Sequence, residues 1–175
     1  MRAVVSAGLW AVLSMSGVGA LAAQTDTDAV RDTTRQRLAT LLASYEPAQE
    51  MHFQRSGSEP FDIVGSYDRH LFYASRLEII VTVTTKQTIG FRVYPYWHGA
   101  HINLNRVRRP SVLMQKLLRD ADQSFFHWAV NPDRDVFAGF TFTLESGFPE
   151  DAIDIVIRSI PLLDRSVGEL APLIE

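Results

Sequence analysis

The chain has 175 residues, 46% of them hydrophobic and 21% charged, with 17 Lys plus Arg against 20 Asp plus Glu and no cysteine. That balance excludes collagen-like, disordered, disulfide-stapled and thiolate-metal classes. A chain of this length buries roughly 70% of the surface its unfolded form exposes, so a core can form without metal or crosslink.

Residues 1–22 have the layout of a secretory signal peptide: one charge at Arg2, an apolar stretch over Ala7 to Met15, and the small-residue triplet Ala20-Leu21-Ala22. Ser6, Gly8, Ser14, Ser16, Gly17 and Gly19 interrupt the run, which argues against a retained anchor, because a spanning helix wants about 20 mostly apolar residues. The lack of cysteine removes the lipoprotein alternative. The reading is a cleaved leader, a periplasmic or secreted protein with no stable membrane span, and one α+β domain over residues 29–175. Without disulfides, such a protein relies on its core for stability.

After a polar leader at Gln24 to Asp28, Val30, Leu38, Leu41, Leu42 and Tyr45 recur at helical spacing, which predicts a first helix ended by Pro47. Phe61 to Asp68 alternates loosely. The chain turns strand-like from Leu71, with Leu77, Ile79, Val81 and Val83 on one face. Thr85-Lys86-Gln87 turns it, and Ile89, Phe91 and Val93 restart the alternation until Pro95 weakens the strand. Pro110 and Ser111 open a helix with the stripe Leu113, Met114, Leu117, Leu118 and Ala121. A hairpin follows, with Phe126, Trp128 and Val130 on one strand, Asn131 to Asp135 as the turn, and Val136 to Leu144 as the return strand. Pro149-Glu150-Asp151 starts a last helix, its two acids favoured by the dipole. Ala152, Ile153, Val156, Ile157, Ile160 and Leu163 form its buried stripe, and Pro161 should kink or interrupt it.

The predicted architecture is an antiparallel sheet of about five strands with helices packed on one face, in the order α-β-β-β-α-β-β-α. This order, and above all the segment WAVNPDRDVFAGFTFTLESGFPEDAIDIVIRSI, resembles the YbjN-domain family, which has the fold of the type III secretion chaperones. The segment matches an aromatic strand, a short acidic turn, a second strand and a Pro/acid-started helix. Asn103 and Asn105, before the basic run, match the family's expected polar region only in part. The resemblance implies a non-enzymatic binding or chaperone-like module, with a homodimer among its states.

No catalytic motif stands out. There is no G-x-S-x-G elbow, no cysteine nucleophile and no glycine-rich phosphate cradle. His98 and His101 are three apart on a loop, a spacing that suits a metal, but a third ligand would have to come from afar, from His70 or His127. They read instead as solvated or packed on Tyr96 and Trp97. Asn131, Asp133 and Asp135 alternate like the start of a calcium loop, yet Val136 and Phe142 stand where its glycine and glutamate belong, so a hairpin turn is the better account. No catalytic residue, metal or cofactor is assigned.

Charge distribution is the strongest signal. From Arg69 to Arg119 nine positive residues face Glu78 alone, while the rest of the chain beyond the leader holds seven positive and nineteen negative residues. Two readings stand: the acidic ends neutralise the basic middle within the folded monomer, or the middle presents a basic face to an acidic partner. In the second, Arg106, Arg108 and Arg109 lead, with Arg92 and the outward aromatics Tyr94 and Tyr96 beside them and Trp97 turned inward. Nucleic acid is not expected as the partner of an exported, net-negative protein. The leading functional reading is a protein-binding or chaperone-like module. The alternatives are a carrier of a small hydrophobic ligand or lipid in a pocket lined by Phe91, Phe140, Phe142 and Leu117, and an envelope hydrolase using His98 or His101.

Overall fold

Period-two alternation dominates the middle of the chain and helical spacing its two ends, and the computed structural model, which describes residues 17–123 and 125–175, assembles these as an α+β fold. The elements are α1 (Gly17–Ser44), α2 (Glu46–Gln49), β1 (Gln54–Arg55), β2 (Asp62–Tyr67), β3 (Arg76–Val83), β4 (Thr88–Trp97), β5 (Ala100–His101), α3 (Pro110–Gln123), β6 (His127–Val130), β7 (Val136–Thr143), α4 (Glu150–Ser159) and α5 (Leu163–Ile174). Every strand pairing is antiparallel, in the order β1-β2-β3-β4-β7-β6, with β5 paired to the end of β4.

The sheet therefore has seven strands rather than about five. The two additional strands, β1 and β5, are two residues long, too short to show periodicity. Pro95 does not end β4, because Leu77 still pairs opposite it. Its carbonyl accepts from the Ile102 N–H at 3.4 Å, on the side away from β3, so the missing donor costs the β3 ladder nothing. Pro161 does interrupt the last helix, through a 3₁₀ turn at Ile160–Leu162 between α4 and α5.

One face of the sheet, carrying Leu77, Ile79, Val81, Ile89, Phe91, Val93 and Ala138, is fully buried. It shares a core with Leu38 and Leu42 of α1, Leu113 and Leu117 of α3, Ile153, Val156 and Ile157 of α4, and Val167 and Leu170 of α5. Two expected core positions are corrected: Val30 is 50% exposed and Leu118 66%, each at the margin of its helix's apolar arc.

The first helix starts earlier than expected, at Gly17, because no proline or glycine interrupts Ala20 to Ser44. Of the expected leader, residues 1–16 lie outside the described residues. Among the described residues no helix is long and apolar enough to cross a membrane.

The chain was expected to turn strand-like from Leu71, but residues 68–75 form a loop held by Asp164 of α5. This carboxylate, 5% exposed, accepts from the backbone N–H groups of Phe72, Tyr73 and Ala74 at 2.7, 3.0 and 2.7 Å. Those donors are thereby spent on a side chain rather than on a neighbouring strand. Phe72 is left 90% exposed at the tip.

Candidate functional site

Strand alternation puts Arg92, Tyr94 and Tyr96 of β4 on the face opposite the core, where Tyr94 sits across from Glu78 and Tyr96 from Arg76. The β4–β5 hairpin closes through His98 and Gly99, at φ 49° and 82°. Two consecutive left-handed residues make the tight turn that matches strand twist, and glycine supplies one of them without strain. The hairpin then brings His101 opposite Tyr96.

The result is a ladder of rings ended by two cations. The Arg76 guanidinium lies 4.0 Å over Tyr96, whose ring is 4.4 Å from His101; His101 is 5.3 Å from Tyr94, Tyr94 is 5.3 Å from Phe137, and Arg92 lies 5.5 Å over Phe137. Guanidinium groups over aromatic faces are attracted by the ring quadrupole, and edge-on rings attract one another. The stack covers Tyr94 so well that it is only 5% exposed. The expectation that Tyr94 points away from the core holds, but its expected availability to a partner does not. Trp97 is half-buried against the core, as the alternation implies.

Two carboxylates flank the imidazole. His101 Nε2 is 2.8 Å from Glu78 Oε2, which also accepts from the Tyr96 hydroxyl at 3.2 Å, and His101 Nδ1 is 3.4 Å from Asp135 Oδ2. Asn103 Nδ2 donates to Asp135 Oδ1 at 2.7 Å and to the Asp133 carbonyl at 2.8 Å. Asp135 thus belongs to a hairpin turn, in which its own N–H donates to Asn131 Oδ1 at 2.8 Å. Each ring nitrogen thus faces a carboxylate, with the hydrogen bond made by Nε2 to Glu78. His98 does not join it, lying edge-on to Trp97 at 4.8 Å. Among the described residues no group of three or more His, Asp or Glu is placed to hold a metal ion.

From this clamp the chain enters the basic loop. Asn103 bridges to Asp135, Leu104 N–H donates to the Arg134 carbonyl at 2.9 Å, and Arg106 N–H closes a turn on the Asn103 carbonyl at 2.9 Å. Buried Val107 anchors the loop, which turns Arg106 and Arg108 outward beside Arg109 and the start of α3. All three arginines are exposed, and among the described residues none of the three guanidiniums reaches an acid within 4 Å. The first turn of α3 holds no acid either. A helix N-terminus carries partial positive charge, so cations there gain nothing from the helix itself.

Direct ion pairs between the basic middle and the acidic ends are few. Of its nine cations, Lys116 makes the one ion pair with a terminal helix among the described residues, 3.0 Å from Glu169 and 2.9 Å from Asp120. The hydrogen bond to Asp120, helped by Glu169, raises the Lys116 pKa above its ordinary value despite partial burial. Among the acids of the ends, Asp28 pairs with Arg31, Asp32 with Arg35 and Asp154 with Arg158 on their own helices, Glu150 lies 3.7 Å from Arg37 of α1, and Asp164 serves backbone donors.

The residues expected to line a carrier pocket pack against one another. Phe91 meets Phe142 edge-on at 6.1 Å, Phe140 lies 4.8 Å from Phe142, and Leu117 is buried in the same core. The Glu78–His101–Asp135 clamp was not read from the sequence. The signal was present in the two-residue turn at His98-Gly99, which fixes His101 opposite Tyr96. Glu78 and Asp135 lie 23 and 34 residues from His101 in sequence, out of reach of spacing rules. Compared with protein-family models, with curated proteins and with solved structures, the chain matches none.

Proposed function

We propose that this chain is an exported, non-enzymatic protein-binding module of the chaperone-like YbjN type, which takes an acidic partner protein on the Arg106, Arg108 and Arg109 loop. One observation carries the reading: three exposed guanidiniums follow one another at the start of α3, and among the described residues none of them lies within 4 Å of an acid. Such a cluster costs stability through self-repulsion and is repaid when an acidic surface docks, which also speeds encounter. The loop is anchored by Val107 and by the Asn103–Asp135 bridge to the turn before β7, so its arginines are presented with little ordering cost. Arg92, exposed over the Phe137 ring, is a further cation on the sheet. The succession of helix, strands, helix, two strands and closing helices supports the YbjN-like assignment, and the leader-like residues 1–22 support periplasmic or secreted placement.

The test is in-cell crosslinking and pull-down of the tagged protein beside the R106E/R108E/R109E variant. One dominant acidic protein, captured by the wild type and lost in a variant that still folds, is the expected result. The same capture by both proteins, or capture of nothing specific by the wild type, overturns the reading. Size-exclusion chromatography with light scattering on the same samples reports whether a second copy of this chain is the partner.

A further inference from the structure

A cleft of about 340 Å³ opens between α1, α2 and the β1–β2 edge, far in sequence from the basic loop. We infer that it binds a small organic monocarboxylate with an apolar body. The argument begins on α1, where Arg35, Leu42 and Ala43 share one helical face directed at the cleft. Leu42 and Ile63 supply a buried apolar floor, and the Phe53 ring forms a wall. That ring is seated by Gly65, at which a Cβ would lie 2.6 Å from Phe53 Cδ1.

The polar lining consists of Arg35, Gln49, His52, Gln54 and Arg55. The Arg35 side chain is 9% exposed and bonds Asp32 Oδ1 through Nε at 3.1 Å and Nη2 at 2.7 Å. Its Nη1 has no partner among the described residues. Arg55 and Gln49 stand nearby on the lining, and no acid is on it. Asp32 balances one of the two guanidiniums, so the cleft keeps about one positive charge. The Arg35 hydrogen bond, aided by Arg55, holds the Asp32 carboxyl below the usual carboxylate range, so that balance persists at neutral pH. A monoanion matches the remaining charge, whereas a dianion would leave one charge uncompensated. A guanidinium N–H suits a carboxylate oxygen, and the volume admits an apolar body of roughly ten heavy atoms at about 30 Å³ each. Ligand sites of this kind combine mostly apolar walls with a few fixed polar groups.

The probe is decanoate, titrated into the purified chain by calorimetry below its micelle concentration, with decanol as the uncharged control. The expected result is saturable binding of one decanoate per chain, at least about tenfold tighter than decanol, the equivalent of about 1.4 kcal/mol. R55Q should weaken decanoate about tenfold and leave decanol unchanged. Because an Arg35 variant risks the fold, the second variant is A43F, at an exposed position whose new ring fills the cleft and abolishes binding. Absence of saturable decanoate binding, equal affinity for decanol, or undiminished binding by A43F overturns the inference. None of these results depends on the Arg106–Arg109 loop, so the protein-binding proposal stands or falls separately.

Discussion

Removing the Asp164 carboxylate should undo the loop that precedes β3. Its two oxygens accept three backbone N–H groups, Oδ1 taking Tyr73 and Ala74 and Oδ2 taking Phe72. In D164A the buried Ala74 N–H loses its partner, at a cost of about 1–3 kcal/mol, while the part-buried Phe72 and Tyr73 donors regain water at about 0.5 kcal/mol each. The expected loss is about 3 kcal/mol, a large share of the 5–15 kcal/mol that holds a typical domain together. D164N keeps the Oδ1 pair but sets an amide N–H against the Phe72 N–H, so it should lose about half as much. F72S should change stability by less than about 0.5 kcal/mol, since Phe72 is 90% exposed. Urea denaturation of the four proteins gives the differences, and amide exchange at Ala74 locates them. A D164A protein within about 0.5 kcal/mol of wild type, or D164N no better than D164A, would refute the reasoning.

Three further outcomes are expected. H101A removes the ring between Tyr94 and Tyr96 and leaves Glu78 and Asp135 without their shared partner, so stability falls by about 1–2 kcal/mol and Tyr94 becomes accessible to iodination. G65A drives a methyl group into the Phe53 ring and the Met51 carbonyl, at 2.6 and 2.8 Å, and should cost about 1–3 kcal/mol by thermal melt. The Lys116 pKa is raised in the folded protein, so its pairing with Asp120 and Glu169 contributes fully at neutral pH and is lost as pH climbs past 10.5. K116M should therefore cost about 0.5 kcal/mol at pH 7 and nothing beyond that alkaline transition, which pH-dependent melts will show.

Most of the scaffold was legible because its periodicities are strong. Leu77 to Val83 and Ile89 to Val93 alternate without a break, and both become central strands with their apolar side in the core. The interruption at Pro161 followed from proline's missing donor. What escaped was set by contacts between residues distant in sequence. Leu71 to Ala74 reads as strand by composition, yet an aspartate some ninety residues later takes its backbone donors. The contacts of Phe91 and Phe140 with Phe142 are a packing outcome to which alternation is blind. For the candidate interface, exposure of Arg106, Arg108 and Arg109 followed from their density in a loop, and the covering of Tyr94 did not, because its lids, His101 and Phe137, arrive from other strands.

The central claim is that the Arg106–Arg109 loop contacts an acidic protein. It is tested most directly by placing a photo-crosslinking amino acid at Arg108 in the living cell, with the same group at Lys86, at the other end of β4, as the control. The proposal expects one discrete adduct from position 108, absent from position 86, whose partner is an acidic protein and whose yield falls with rising salt. No adduct at 108, or the same adducts from both positions, would contradict it.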